Sequence, residues 1–489
     1  MKKLILALIV SLCLVGCGNS TTNTDSNNNI NKFDYSDAVS IVLGNTITVD
    51  GNEISNNDND AVYLANDIVY YEEGKDASYG EGTEADGHSQ AEADAHVVVH
   101  ITKAGTYRLS GTLSKGQVAV DLGDDAEEDP NAVVTLVLDN VNITCEVAPG
   151  IIFYNVYESE NTDKAGANVY IADGSTNTVN GSYVAKIYKE GTEKKKHKYD
   201  GAFYSKKSMI INGNTGVLNI NAENEGLDTE MHLTINGGVI NITANNDGIN
   251  VNEDGVSIFT MNGGILTVDS GYGEEGDGID SNGSIVINGG TIVAMPCNLS
   301  ADGGIDSDLG ITINGGTVIG FGMNGTITED SKQAYISSNM SGTSIVIKSG
   351  KNVIYTLETP RSYSKLIFSS SDIKEDGTYS VNDVVASINV NNGFGGFPGG
   401  NMGGGNFDPN NMPEGMQRPN GNWGNGEFDP NAMPGGNMGG FNGNFDPNNM
   451  PEGMNPNNMP GGFNGHFDPN NMPNGQMWPS GNNDSQINA

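Results

Sequence analysis

The stretch LTINGGVINIT, residues 233–243, alternates apolar and polar side chains on both sides of a Gly-Gly pair. Leu233, Ile235, Ile240 and Ile242 fall on one face of such a chain, and Thr234, Asn241 and Thr243 on the other. A period of two marks extended strand, and the glycines supply backbone angles at a sharp corner that a side chain would forbid. The phrase recurs. Its anchors are Asn212, Asn236, Asn262, Asn288 and Asn314, at steps of 24, 26, 26 and 26 residues, too short for a βαβ unit and suited to one coil of a β-solenoid. An array of Asn-Gly hairpins is the rival arrangement, but a fixed return to one phrase favours the coil.

The repeat places Leu233, Phe259, Ile285 and Ile311 in one inward column and Ile235, Met261, Ile287 and Ile313 in a second. No single rung buries such residues alone, so neighbouring rungs have to stack. The expected fold class is all-β: a parallel β-helix, or solenoid, with a disordered low-complexity tail after it.

A second phrase follows in each repeat: EGLD (225–228), DGIN (247–250), DGID (277–280) and GGID (303–306). With Leu227, Ile249, Ile279 and Ile305 inward, Asp228, Asn250, Asp280 and Asp306 form an outward ladder at the strand spacing of about 4.8 Å. Stacked carboxylates repel, and calcium takes oxygen ligands at about 2.3–2.6 Å, so an ion between two rungs would touch a carboxylate from each. The candidate ligands are Asp228, Asp247, Asn250, Asp277, Asp280, Asp302, Asp306 and Asp308, with calcium the expected cofactor. Further oxygens stand nearby at Glu225, Glu253, Asp254, Glu274 and Glu275, and no Lys or Arg occurs between Ser208 and Ser331. Only cations would then neutralise the stretch. A solvated acidic face that keeps a solenoid soluble is the alternative.

Residues 1–16 carry Lys2 and Lys3, then an apolar run ending in LVGC (14–17), which reads as a lipoprotein signal with Cys17 as the acylated residue. An Asn-, Thr- and Ser-rich tether (17–37) follows. The expected location is the extracellular face of the cell membrane, held by lipid. Cys145 and Cys297 are then the cysteines left, read as buried thiols, although one disulfide is open to them. A formal charge of -38 opposes nucleic acid as a partner. From about 391 the composition changes to Gly, Asn, Pro and Met, with FDPNNMPEGM at 407–416 and 445–454. Such a tail has little to bury; it serves as a spacer, or its Phe, Met and Trp residues make contacts with cell wall or protein. Between them, 38–390 reads as one elongated domain, with residues 72–96 an exposed acidic insertion.

Eight of the 23 basic residues lie between Lys186 and Lys207, either a charged loop answering the acidic rungs or a contact for a sugar carboxylate. His96 and His100 share a strand face but are not assigned as ligands. Tyr272 and Phe321 are the main aromatic candidates for stacking on sugar.

Taken as an ordered set, VVVHITKAGTYRLSGTL (97–113), VVTLVLDNVNIT (133–144), NVYIADGSTNTV (168–179), YDGAFYSKKSMIINGNTG (199–216) and the NGG and DGI phrases resemble a family of bacterial surface proteins. It was first filed as a domain of unknown function and then described as a carbohydrate-binding, pectate-lyase-like β-helix. The resemblance covers most of 38–325. It implies a right-handed parallel β-helix, bound calcium, and a polysaccharide partner such as cellulose or polygalacturonate. Tyr199, Asp200 and Gly201 match the family's YDG step. Glu225-Gly226-Leu227 and Asp302-Gly303-Gly304 depart from its Asp-Gly-Ile phrase, which makes those two rungs the doubtful ones.

A pectate lyase needs calcium to acidify the uronate and a Lys or Arg base to take the proton. Lys206 and Lys207 are the local candidates, and neither a Gly-His-Gly nor an Arg-x-Lys motif accompanies them. A hydrolase would use paired carboxylates. Binding without catalysis is the first expectation, with no catalytic residue assigned; a lyase, a hydrolase and a structural adhesin are the alternatives.

Overall fold

The computed structural model describes residues 33–389 apart from 77, 160, 274, 298–302, 323–324, 340–341 and 364. Cys17, the tether before Phe33, Glu274, Asp302 and the tail repeats lie outside the described residues.

Strands pair in parallel from one repeat to the next along three faces. One face runs through Ala167–Ile171, Met209–Gly213, Leu233–Ile235, Ile258–Met261, Ser284–Ile287 and Gly310–Ile313. The second runs through Thr176–Gly181, Val217–Ala222, Val239–Ala244, Ile265–Asp269, Thr291–Met295 and Thr317–Gly320. The third comprises Val97–Ile101, Gly116–Val120, Ile151–Phe153, Gly201–Ser205, Glu225–Thr229, Ile249–Val251 and Ile279–Ser281. From Ile151 to Met295 each repeat contributes one strand to each face, which is the pairing of a parallel β-helix-like coil. At its start Val39–Leu43 pairs in parallel with Gly105–Leu113.

Leu233 pairs with Phe259, Phe259 with Ile285 and Ile285 with Ile311, and the Ile235, Met261, Ile287, Ile313 column keeps the same register. All eight are buried in one core that runs from Ile41 to Val318. Each such side chain contributes about 2 kcal/mol by leaving water. The outward Thr234 is buried too, because its Oγ1 donates to Thr162 O at 2.8 Å.

The anchor asparagines stack as a ladder. Each Nδ2 donates to the Oδ1 one rung before, from Asn236 onto Asn212 through Asn314 onto Asn288, at 2.8–3.0 Å. In the Gly-Gly pairs the second glycine takes the left-handed corner conformation, with φ of 92° at Gly238 and 88° at Gly316.

Two expectations differ from the structure. Residues 72–96 are exposed for the most part, as expected, but they are not all loop: they hold the helix Gln90–Asp94, and Ala93, with the preceding Tyr71, is buried with Val184, Ile187 and Tyr199 of the hairpin Val184–Tyr188/Lys195–Tyr199. The reason lies on the third face, where Val98, Ala119, Ile152 and Tyr204 point away from the main core and are apolar, so they need a cover. Nor is 38–390 parallel throughout. After Gly320 the chain turns antiparallel: Lys365–Ser369 pairs with Thr317–Gly320 and with Tyr335–Asn339, and Ser344–Ser349 pairs with Asn352–Glu358 and Tyr379–Val381. This module has its own core, including Ile336, Ile345, Leu366 and Phe368.

Cys145 is a free, buried thiol, and Cys297 is buried as well. Among the described residues no helix is long and apolar enough to cross a membrane.

Candidate cation sites on an acidic column

The third face carries an outward column that changes character along the coil. Ala119 pairs with Ile152, Ile152 with Tyr204, Tyr204 with Asp228, Asp228 with Asn250 and Asn250 with Asp280. The bridge between Ile279 and Ile305 sets Asp306 beside Asp280. The apolar half lies under the hairpin and the 72–96 segment, and the acidic half continues beyond them.

The glycines of the Asp-Gly-Ile phrases make this stacking possible. A Cβ at Gly226 would lie 2.4 Å from Gly248 O, at Gly248 2.7 Å from Gly278 O, and at Gly278 2.4 Å from Gly304 O. Each corner leaves no room for a side chain because the next rung's carbonyl passes there. Glu225 occupies the acidic position of its rung, so the Glu-Gly-Leu variant keeps the pattern. In the Gly303-Gly304 rung a glycine stands there instead, and Gly303 N donates to Asp277 Oδ1 at 2.5 Å.

At the boundary between the two halves, Asp200, Glu225 and Asp228 bring one carboxylate oxygen each within 4.8 Å of one another. Asp228 is wholly buried and both its oxygens lack a hydrogen-bond partner, as do Glu225 Oε2 and Asn250 Oδ1. Asn250 Nδ2 donates to Glu225 Oε1 at 3.1 Å. One cation is close: Lys198 Nζ lies 3.0 Å from Asp200 Oδ2. Three carboxylates against one ammonium leave two negative charges in a dry site, a costly arrangement without a counter-ion. Burial, then the neighbouring carboxylates, push Glu225 and Asp228 well above the usual carboxylate range. Asp200 is also raised by burial, against the pull of Lys198. Burial disfavours the Lys198 ammonium, yet Asp200, Glu225 and Asp228 together outweigh it and raise its pKa.

Further along, Asp277, Asp280 and Asp306 form a second group with oxygens within 4.8 Å, each partly exposed. Asp280 is pushed up to about 7 by burial and by the charges of Asp247, Asp306 and Asp308. Asp247 supports the turn, since its Oδ1 accepts from Asp277 N at 2.6 Å. Both groups offer hard oxygen donors only, the chemistry that suits calcium rather than a softer metal.

Of the expected ligands, the structure therefore gathers Asp277, Asp280 and Asp306, places Asp247 and Asp308 beside them, and puts Asp228 and Asn250 in the buried site. Asp302 lies outside the described residues. The ladder is not evenly solvated as an acidic face would be, because its Asp228 end is under the hairpin. Asp200 was not among the expected ligands; it ends the hairpin strand, and its partners lie 25 and 28 residues on. The stretch without Lys or Arg has a basic partner from elsewhere in the chain, contrary to the expectation that only cations answer it: Arg361 reaches Asp269, with Nη2 3.0 Å from Oδ1.

Other candidates resolve locally. His96 is saturated, its Nδ1 2.7 Å from Glu92 O and its Nε2 accepting from Glu146 N at 3.2 Å, while His100 stacks on Tyr63 and pairs with Asp67. Lys207 pairs with Glu127 at 2.7 Å and Lys206 Nζ reaches back to Asn155. Tyr272 is half exposed, its ring 4.3 Å from the Arg361 guanidinium carbon. Phe321 is no sugar platform; it is buried against Tyr363.

Comparison with known proteins supplies the family. A family model described as carbohydrate-binding domain-containing protein matches residues 95–382. A protein of that same description from Acetivibrio thermocellus is 33% identical over 138 residues, which is 28% of this chain and 42% of that relative's length. A solved structure of a polysaccharide lyase-like protein from C. thermocellum, a gadolinium derivative, is similar at 23% identity with a TM-score of 0.37, covering 59% of this chain and 92% of that one. The family model spans more than half of the chain, and the chain belongs to the carbohydrate-binding domain-containing family.

Proposed function

We propose that this protein is a surface-anchored, non-catalytic lipoprotein that binds polysaccharide with the help of calcium. The polysaccharide is an acidic plant-wall polymer such as polygalacturonate, or cellulose, and the coil is a right-handed parallel β-helix. Lipid on Cys17 holds the chain at the outer face of the cell membrane, and the tail after 390 serves as a spacer.

The observation that carries the calcium reading is the set of partnerless oxygens on Asp228, Glu225 and Asn250, buried beside Asp200. They fit a divalent cation in charge and in donor type. Asp200, Glu225 and Asp228 would hold one ion within the fold. Asp277, Asp280 and Asp306 would hold a second with one side open, and an ion there supplies a positive charge for a sugar carboxylate.

Binding without turnover is supported by the placing of the lysines. A general base has to reach the substrate and shed its proton. Lys198 is paired with Asp200 and its pKa is raised, while Lys206 and Lys207 have their partners on other segments.

The test is retention of the full chain on polygalacturonate and on cellulose, with calcium and then with chelator, while absorbance of unsaturated product is recorded. Calcium-dependent retention on polygalacturonate with no product is the expected result. Accumulating product would make the protein a lyase, and equal retention on polygalacturonate in chelator would remove calcium from the mechanism.

A further inference from the structure

At the opposite end of the coil, outward positions on four successive strands line up as Ser40, Arg108, Val137 and Tyr170. The strand spacing of about 4.8 Å is close to the advance of one pyranose along an extended glycan. Over this line the segment before the first strand folds back. The Phe33 ring sits 5.0 Å from Tyr170 and the Tyr35 ring 5.9 Å from it, centroid to centroid, so the three aromatics form one cluster. Tyr170 is buried beneath, while Phe33 is 37% exposed. A groove of about 630 Å³ opens here, lined by Phe33, Tyr35, Ser40 and Arg108, within the size range of small-molecule sites.

The polar groups fit hydroxyls. Arg108 donates through Nε and Nη2 to Asp139 Oδ2, and its side chain is nearly half exposed. Such a pair offers an outward N–H donor beside a carboxylate acceptor and carries no net charge. Asp34, also on the groove wall, adds a negative charge, which disfavours a uronate. An aromatic face attracts the slightly positive C–H groups of a flat pyranose ring, and a ring already stacked in place loses little entropy when it binds.

The geometry points to a second polysaccharide site in this groove, one that takes a neutral glycan of flat, equatorially substituted pyranoses and needs no calcium. It rests on the carbohydrate-binding reading and divides it. The acidic column serves polyanions through a cation, and the aromatic groove serves neutral chains by stacking and hydroxyl hydrogen bonds. Phe33 and Tyr35 precede the segment that the family model matches, 95–382, so this half of the groove belongs to the chain's own N-terminal segment.

The experiment is calorimetric titration of the full chain with cellohexaose and, separately, with polygalacturonate, each in calcium and in chelator. Cellohexaose is expected to bind equally in both media. Phe33→Ala, which removes an exposed ring, and Arg108→Gln, which keeps the side chain's bulk, each lower that affinity at least tenfold and leave calcium-dependent binding of polygalacturonate unchanged. Cellohexaose affinity untouched by both variants, absent in the parent chain, or abolished by chelator overturns the groove assignment. In those cases polygalacturonate binding still reports on the acidic column, and only the failure of both sugars to bind removes the carbohydrate reading itself.

Discussion

Gly201 and Asp228 face each other on adjacent rungs so closely that a Cβ on Gly201 would lie 2.7 Å from the Asp228 Cβ. Nothing larger than hydrogen fits there, and the group in the way carries a buried carboxylate. Gly201→Ala is expected to cost about 1–3 kcal/mol through overpacking and to weaken calcium binding by displacing Asp228. Thermal unfolding with and without calcium checks both effects, and a variant with unchanged melting and calcium affinity would show that the contact relaxes freely.

Asp228→Asn has opposite effects in two media. Without metal, it removes one of three crowded charges from a dry site, so the melting temperature rises. With calcium in excess, it removes a ligand, so the gain from binding shrinks and the parent chain becomes the more stable. Differential scanning calorimetry in chelator and in calcium reads the crossing. Destabilisation of equal size in both media would sink the assignment of Asp228 to a cation site.

The pH dependence follows from the same groups. In the unfolded chain Asp280 titrates near 3.9, and in the metal-free fold near 7. Between those values the folded chain holds more protons, so its stability falls as pH rises. Glu225 and Asp228, also raised, extend the decline upward. Calcium reverses the trend, because its ligands have to be deprotonated. The metal-stripped chain is thus expected to melt several degrees higher at about pH 5 than at about pH 8, and the calcium-loaded chain to show the opposite order. Melting curves across this range decide it.

Arg361 ties the antiparallel module to the coil. Its guanidinium touches Asp269, Pro296 O and the Tyr272 ring, and the pair with Asp269 is largely buried. Arg361→Ala leaves the Asp269 charge without its partner and is expected to cost about 3–5 kcal/mol. Arg361→Lys recovers only part, since an ammonium lacks the planar fork and the stacking surface. Urea denaturation measures both; full recovery by Lys would reduce Arg361 to a point charge.

The coil was legible because its signals are local and periodic. Leu233, Phe259, Ile285 and Ile311 share a register that alternation and a 26-residue step both specify. What escaped was decided by residues distant in sequence. Asp200 joins Glu225 and Asp228 only because the hairpin strand ends against the next rungs. Arg361 meets Asp269 across 92 residues. One missed signal was nevertheless present: Val98, Ile152 and Tyr204 are apolar at outward positions, and such residues on a strand call for a cover, which Ile68, Tyr71, Ala93 and the hairpin provide. Phe321 misled for the matching reason, since aromatic character alone does not say which side of a strand will be covered.

A stack of identical parallel rungs has no built-in last member, and its terminal strand offers an open template to any similar chain. Here Thr317–Gly320 is met by Lys365–Ser369 running the other way. That reversal gives the array a defined end: a further rung, from this molecule or another, finds the hydrogen-bonding positions taken and the direction wrong. On this face the coil therefore stops at a strand that does not carry its direction onward, and the edge that would template another strand is occupied.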